Sequence, residues 1–173
     1  MRQKLVDVYS YEDLILPENK TIKDKIMEKH RYLSTEDIDW YVFTYEMYES
    51  ELKELGFYDI KFNFSGFYSQ GDGARITCSI PYQKAVDLLG LSSKDTDDLH
   101  IIASQSRYCH ENTLHTEGND SILKHHLLIY LRNKSQDLYK NLENEYENLI
   151  SNESIMEMIE SNEYEFDETG KME

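Results

Sequence analysis

Two cysteines, two prolines and seven glycines are all that this chain of 173 residues holds of the types that staple or punctuate a fold. Cys78 and Cys109 are too few for a disulfide framework and lack CxxC spacing, so they read as free thiols in a reducing compartment. With so little proline and no Ser/Gly-rich tract, no flexible linker is expected. The length then predicts a single domain over residues 1–173. No run approaches the roughly 18 apolar residues that span a bilayer. The opening MRQKLVDVYSYEDL has no apolar core of the signal-peptide kind. The expectation is a soluble protein of the cytoplasm.

Positive charge is also scarce. Eighteen Lys and Arg face 34 Asp and Glu, for a net charge of −16. Such a field repels phosphate backbones and anionic lipid, which argues against direct nucleic-acid binding and against a membrane partner. It attracts basic proteins, including those whose own work is to hold DNA or RNA. Charge of this size also serves solubility alone. It is concentrated at one end: residues 137–173 carry 12 acids against two lysines, net −10. The spacing of Glu143, Glu145, Glu147, Glu157, Glu160 and Asp167 presents carboxylates along a surface, and these six are the candidate partner-binding residues. The alternative is a solvated helix face with an acidic tail.

Aromatics are plentiful. Fourteen Tyr, six Phe and one Trp supply the buried area that a hydrophilic chain otherwise lacks. The segment from Lys4 starts with alternating Val6 and Val8, a short strand entering a turn. PENKTIKDKIMEKHRYL predicts a helix with Pro17 near its start and Ile22, Ile26 and Met27 on one side. STEDIDWYVFTYEMYESELKELG predicts another, capped by Ser34 or Thr35, with Glu36 and Asp37 in the first turn and Gly56 at its end. Trp40, Phe43, Met47 and Leu55 are expected to face the core, with Tyr41, Tyr45, Tyr48 and Leu52 as a second stripe beside them. PYQKAVDLLGL reads as a short helix ended near Gly90. HIIASQSRYCH and TLHTE read as a hairpin turned at ENT. A long helix from Asn119 keeps Leu123, Leu127, Leu131, Leu138 and Leu142 at helical spacing. A short helix, ESIMEMIE, and a strand-like EYEF close the chain. This order predicts an α+β fold, an antiparallel sheet built from hairpins and covered by helices, with a long C-terminal helix.

Residues 63–80, NFSGFYSQGDGARITCSI, are the least ordinary stretch. Ile60, Phe62 and Phe64 alternate on one side, and Ile76, Cys78 and Ile80 on the other, flanking Gly-Asp-Gly. That is a β-hairpin pattern, since Gly and Asp tolerate positive φ. Ser69, Gln70, Asp72 and Arg75 gather at its tip as a candidate loop site. A phosphate cradle is disfavoured: neither Gly-Lys-Ser/Thr nor GxGxxG is present, and Asp72 repels phosphate. The histidines show no HExxH or HxH spacing, so neither a metal nor another cofactor is expected. A metal-dependent hydrolase using His110, His115 and Asp72 is a weaker alternative. A Cys/His nucleophile pair on Cys78 or Cys109 is weaker still. No carboxylate pair stands out for acid–base work among 34, and an enzyme is not expected.

FSGFYSQGDGA (64–74) closely resembles a motif of an uncharacterised family of bacteriophage and prophage accessory proteins. The similarity extends over nearly the whole chain, through VYSYEDL, the SGF-SQGDGA hairpin, SRYCHENTLH and a closing Asn-Glu-Tyr-Glu-Phe segment. Arg75 stands where that family more often has an aromatic. The resemblance implies a non-enzymatic phage accessory protein, some relatives bearing an antitoxin-like label, and it carries no catalytic residues across. Combined with the charge, it leads to the expectation of a phage-encoded acidic inhibitor of bacterial defence, of the anti-CRISPR or antirestriction type. Such a protein would bind a nucleic-acid-processing defence protein in the bacterial cytosol, partly by nucleic-acid mimicry. The alternative is a binding module that takes a toxin, host factor or nucleotide at the SQGDGAR tip.

Overall fold

The computed structural model describes residues 7–35, 39–91 and 97–173. The fold is α+β and the chain packs as two compact units, one formed by residues 1–40 and 145–173, the other by 41–144. Among the described residues no helix is long and apolar enough to cross a membrane.

The central unit is built on a four-stranded antiparallel sheet. Its strands are β2 (Tyr58–Phe64), β3 (Ala74–Ile80), β4 (Leu99–Ala103) and β5 (Leu114–Glu117), in that spatial order. The period-two pattern of 58–64 and 74–80 becomes the β2–β3 hairpin, paired from Phe64–Ala74 back to Tyr58–Ser79 with one irregularity between Tyr58 and Lys61. One face is apolar and buried: Ile76, Cys78, Ile80, Leu99 and Ile101 are each less than 5% exposed. The helices α3 (Val42–Glu54), α4 (Tyr82–Leu89) and α5 (Ser121–Leu149) belong to this unit, apart from the last residues of α5. Asp120 starts α5 by accepting the backbone N–H groups of Ile122 and Leu123, each at 2.9 Å, as an N-cap carboxylate does. Leu123, Leu127, Leu131, Leu138 and Leu142 are all buried on it, as their spacing predicts.

Ser135 interrupts that leucine stripe for a reason. The β3–β4 ladder runs only from Cys78 to Ile80, so the Ile76 N–H has no β4 carbonyl to meet. The Ser135 hydroxyl accepts it instead, at 3.1 Å and fully buried. Ser135→Ala leaves that N–H orphaned and is expected to cost about 1–3 kcal/mol in urea denaturation. A loss within error of zero would contradict this role.

Three expectations are corrected here. The helix α3 begins at Val42 with Tyr41 as its N-cap, not at Ser34 or Thr35, which lie in a preceding turn. Glu36 and Asp37 fall outside the described residues, as does Val6. The buried face of α3 is Thr44, Tyr48 and Leu52, whereas Phe43 is 72% and Met47 49% exposed. The stripe that wins is the one meeting the sheet: Tyr41 packs on Phe64 and Tyr45 on Phe62, with ring centroids 5.6 and 4.8 Å apart. The strand expected over HIIASQSRYCH ends at Ala103, and residues 104–113 form a loop closed by a 3-10 turn at Glu111–Thr113.

The other unit joins the two ends of the described chain. Strand β1 (Val8–Tyr9) pairs antiparallel with β6 (Phe166–Asp167), which places NEYEF beside VYSYEDL. Phe166 sits at 0% exposure in a cluster with Leu14 of α1 (Tyr11–Leu14), Ile26 and Met27 of α2 (Lys20–Lys29), and Ile155 and Ile159 of α6 (Asn152–Ser161). His30 Nε2 lies 2.8 Å from the Gly170 carbonyl and its ring is 5.1 Å from that of Phe166. The closing motif is therefore a core-building element.

Candidate functional site

The hairpin tip is a nine-residue loop, 65–73, closed by the Ser65 N–H on the Gly73 carbonyl at 3.1 Å. Asp72 is turned inward: one carboxylate oxygen accepts the Ser69 N–H at 2.7 Å, while the Ser69 carbonyl accepts the Asp72 N–H at 3.0 Å. This reciprocal pair closes the SQGD turn. Two glycines are required by close approach. A Cβ on Gly73 would stand 2.9 Å from His110 Cα, and one on Gly71, at φ +92°, would stand 2.7 Å from the Tyr108 ring. The hairpin tip thus docks on the 104–113 loop, and the two motifs SQGDGA and SRYCHENTLH meet in one place.

Arg75 serves that junction. Its guanidinium donates to the Tyr108 carbonyl at 3.2 Å and to the Thr113 hydroxyl at 3.3 Å, with Nε buried and unpartnered. From α5, Arg132 donates to the Leu114 carbonyl at 3.0 Å, covering a carbonyl of edge strand β5. Of the four candidate loop residues, then, Asp72 and Arg75 are committed to holding the tip, and Ser69 and Gln70 are exposed. The outward groups that the sequence did not single out are aromatic. Tyr68 is 69% exposed, and Tyr108, also exposed, carries the Arg107 guanidinium 4.7 Å over its ring. No local signal marks Tyr68 or Tyr108, because how the two loops dock is set by long-range contacts. Gly71→Ala adds positive-φ strain to the collision with Tyr108, and the expected loss is about 1–3 kcal/mol in thermal or urea unfolding. Unchanged stability would show that the tip is not held by this contact.

His110 Nδ1 lies 2.9 Å from Glu111 Oε2, and the buried Glu111 also accepts from Gln136 at 2.9 Å. His115 lies on β5 and Asp72 in the hairpin turn. Among the described residues no three His, Cys, Asp or Glu side chains converge as metal ligands. Burial pushes the Cys78 thiol up to about 12, so it holds no nucleophilic thiolate at neutral pH.

The acidic candidates divide by environment. Glu147, Glu157 and Glu160 are exposed, while Glu143, Glu145 and Asp167 are half-buried. Asp167 is occupied with its own turn: one oxygen accepts from the Thr169 hydroxyl and from the N–H groups of Thr169 and Lys171. The Thr169 hydrogen bond, first among these, holds its carboxyl below the usual range. In the same unit a cleft of about 360 Å³ is lined by Glu12, Glu160, Glu163 and Glu165 together with Tyr11 and Tyr164. Of these carboxylates only Glu160 was singled out from the sequence. Glu12 comes from the far end of the chain, and the β1–β6 pairing is what brings it near.

Residues 40–120 match a family described as a domain of unknown function (DUF8835). The matched span runs from the start of the central unit through β5, and so contains the hairpin and the loop it docks on. It stops before α5 and excludes the acidic C-terminal segment. No curated protein and no solved structure matches the chain.

Proposed function

We propose that the chain is an acidic inhibitor that binds a basic surface of a nucleic-acid-processing protein, and that it serves a phage against a bacterial defence system of the CRISPR or restriction type. The observation that carries this reading is the state of its carboxylates. Between described residues there are four ion pairs, and they engage Glu49, Glu51, Glu111 and Glu173. Among the described residues, the exposed side chains of Glu147, Glu157 and Glu160 belong to none of them and form no hydrogen bond. A groove shaped for duplex DNA meets one negative charge per roughly 1.7 Å of axis, and uncompensated carboxylates can take those positions. The cleft beside Glu160, walled by two tyrosines, suits an inserted Arg or Lys side chain, whose stem packs on the rings while its charge meets the acids. The test is inhibition of a captured target nuclease by the native chain and by a Glu147→Gln/Glu157→Gln/Glu160→Gln variant. Undiminished inhibition by the variant would refute mimicry.

A second reading rests on a separate observation. The hairpin tip, held by its own hydrogen bonds, and the loop it docks on present Tyr68, Tyr108 and Arg107, the residue types that dominate protein–protein hot spots. An antitoxin-like or ligand-binding module working at this tip would lose capture on Tyr68→Ala and Tyr108→Ala while tolerating the glutamine variant.

A further inference from the structure

The sheet has a second face, and its register assembles there groups that lie scattered along the sequence. Lys61 pairs with Thr77 and Tyr58 with Ser79; Ser79 pairs with His100, and His100 with Glu117. Residues directly opposite in an antiparallel ladder point to the same side. Thr77 and Ser79 alternate with the buried Ile76 and Cys78, so this row lies on the face away from the apolar core. Lys61, Thr77, Ser79 and His100 line an open groove of about 330 Å³, which Asp59 and Glu117 line as well.

The imidazole in this groove is oriented. His100 Nδ1 lies 2.8 Å from the Ser79 hydroxyl, and Ser79 is 8% exposed. Nearby, the Tyr58 hydroxyl donates to Asp98 at 2.7 Å. With the Ser79 hydroxyl as the donor to Nδ1, the ring proton sits on Nε2, the ring atom left open to a ligand. Lys61 and Thr77 spend neither ammonium nor hydroxyl on any neighbour among the described residues. An ammonium, a hydroxyl and an imidazole N–H with unused donors on one small groove form a donor set for a tetrahedral oxyanion, since charge-assisted donors are the strong ones.

The geometry points to a phosphate-binding site on the open face of the sheet, in which Lys61, Thr77 and His100 hold the phosphoryl group of a small phosphomonoester. Ser79 is a positioning residue that sets the ring. Asp59 and Glu117 on the same groove, and the net charge of −16, repel the run of phosphates in a polynucleotide. The site lies within the central unit and does not depend on the acidic residues of the inhibitor reading.

The experiment is an NMR titration of the histidine ring signals with inorganic phosphate, with glycerol 3-phosphate, and with chloride at matched ionic strength. His100 signals are expected to move saturably with both phosphates and not with chloride, while those of His126 on α5 stay still. Lys61→Met is expected to weaken binding about tenfold, the scale of one hydrogen bond to a charged group. Ser79→Ala is expected to weaken it with Lys61 intact, and Ser79→Thr to restore it. An equal response to chloride, or a full response in Lys61→Met with an unchanged amide spectrum elsewhere, overturns the site. Binding of inorganic phosphate without the monoester would overturn the assignment of the ligand.

Discussion

Replacing Glu147, Glu157 and Glu160 together by glutamine is expected to weaken partner binding by at least about tenfold, equivalent to ~1.4 kcal/mol, without unfolding the chain. All three side chains are exposed and, among the described residues, take part in no ion pair or hydrogen bond. Their removal costs the fold little: surface substitutions away from such features stay within roughly 0.5 kcal/mol. Binding is affected twice. Fewer charges slow the electrostatically steered encounter, and each basic group of the partner left without a carboxylate inside the interface retains its desolvation cost. Glu160 is expected to contribute most, because it alone of the three also lines the cleft with Glu12, Glu163 and Glu165. Calorimetry of native and variant chains against the captured partner separates the affinity loss from a folding loss, which urea denaturation reads independently.

Phe166→Ala is expected to destabilise the terminal unit by about 3–5 kcal/mol, a large part of what holds any small domain together. Phe166 is fully buried among Leu14, Ile26, Met27, Ile155 and Ile159, drawn from α1, α2 and α6, so no single neighbour can move to fill the space. Its backbone pairs with Tyr9 and its ring meets His30, so the same residue ties the closing strand to the first. Urea denaturation gives the loss directly. A cost below about 1 kcal/mol would mean that the NEYEF segment is not the keystone of this core.

The β2–β3 hairpin was legible because strict period-two alternation on both sides of Gly-Asp-Gly admits little else. The leucine stripe of α5 was legible for the same kind of reason at period 3.6. On α3 the sequence offers two apolar stripes side by side, and periodicity cannot rank Phe43 and Met47 against Tyr48 and Leu52. The sheet decides, by stacking Phe62 and Phe64 on Tyr45 and Tyr41. Nor could spacing show that Arg75 and Asp72 turn inward, since their partners, Tyr108, Thr113 and the Ser69 N–H, are set by how the two loops dock. The Ser79–His100 bond depends on strand register, which no local pattern encodes. The pairing of the first strand with the last is likewise a long-range choice, and it creates both the terminal unit and its acidic cleft.

The most direct test of the central claim is capture of partners by the tagged chain from a nuclease-treated bacterial lysate, washed at rising salt and identified by mass spectrometry. The account predicts one enriched nucleic-acid-processing protein that survives nuclease, is released as salt rises, and is not captured by the Glu147→Gln/Glu157→Gln/Glu160→Gln variant. A partner held equally by that variant and insensitive to salt, or no protein partner at all, would contradict it.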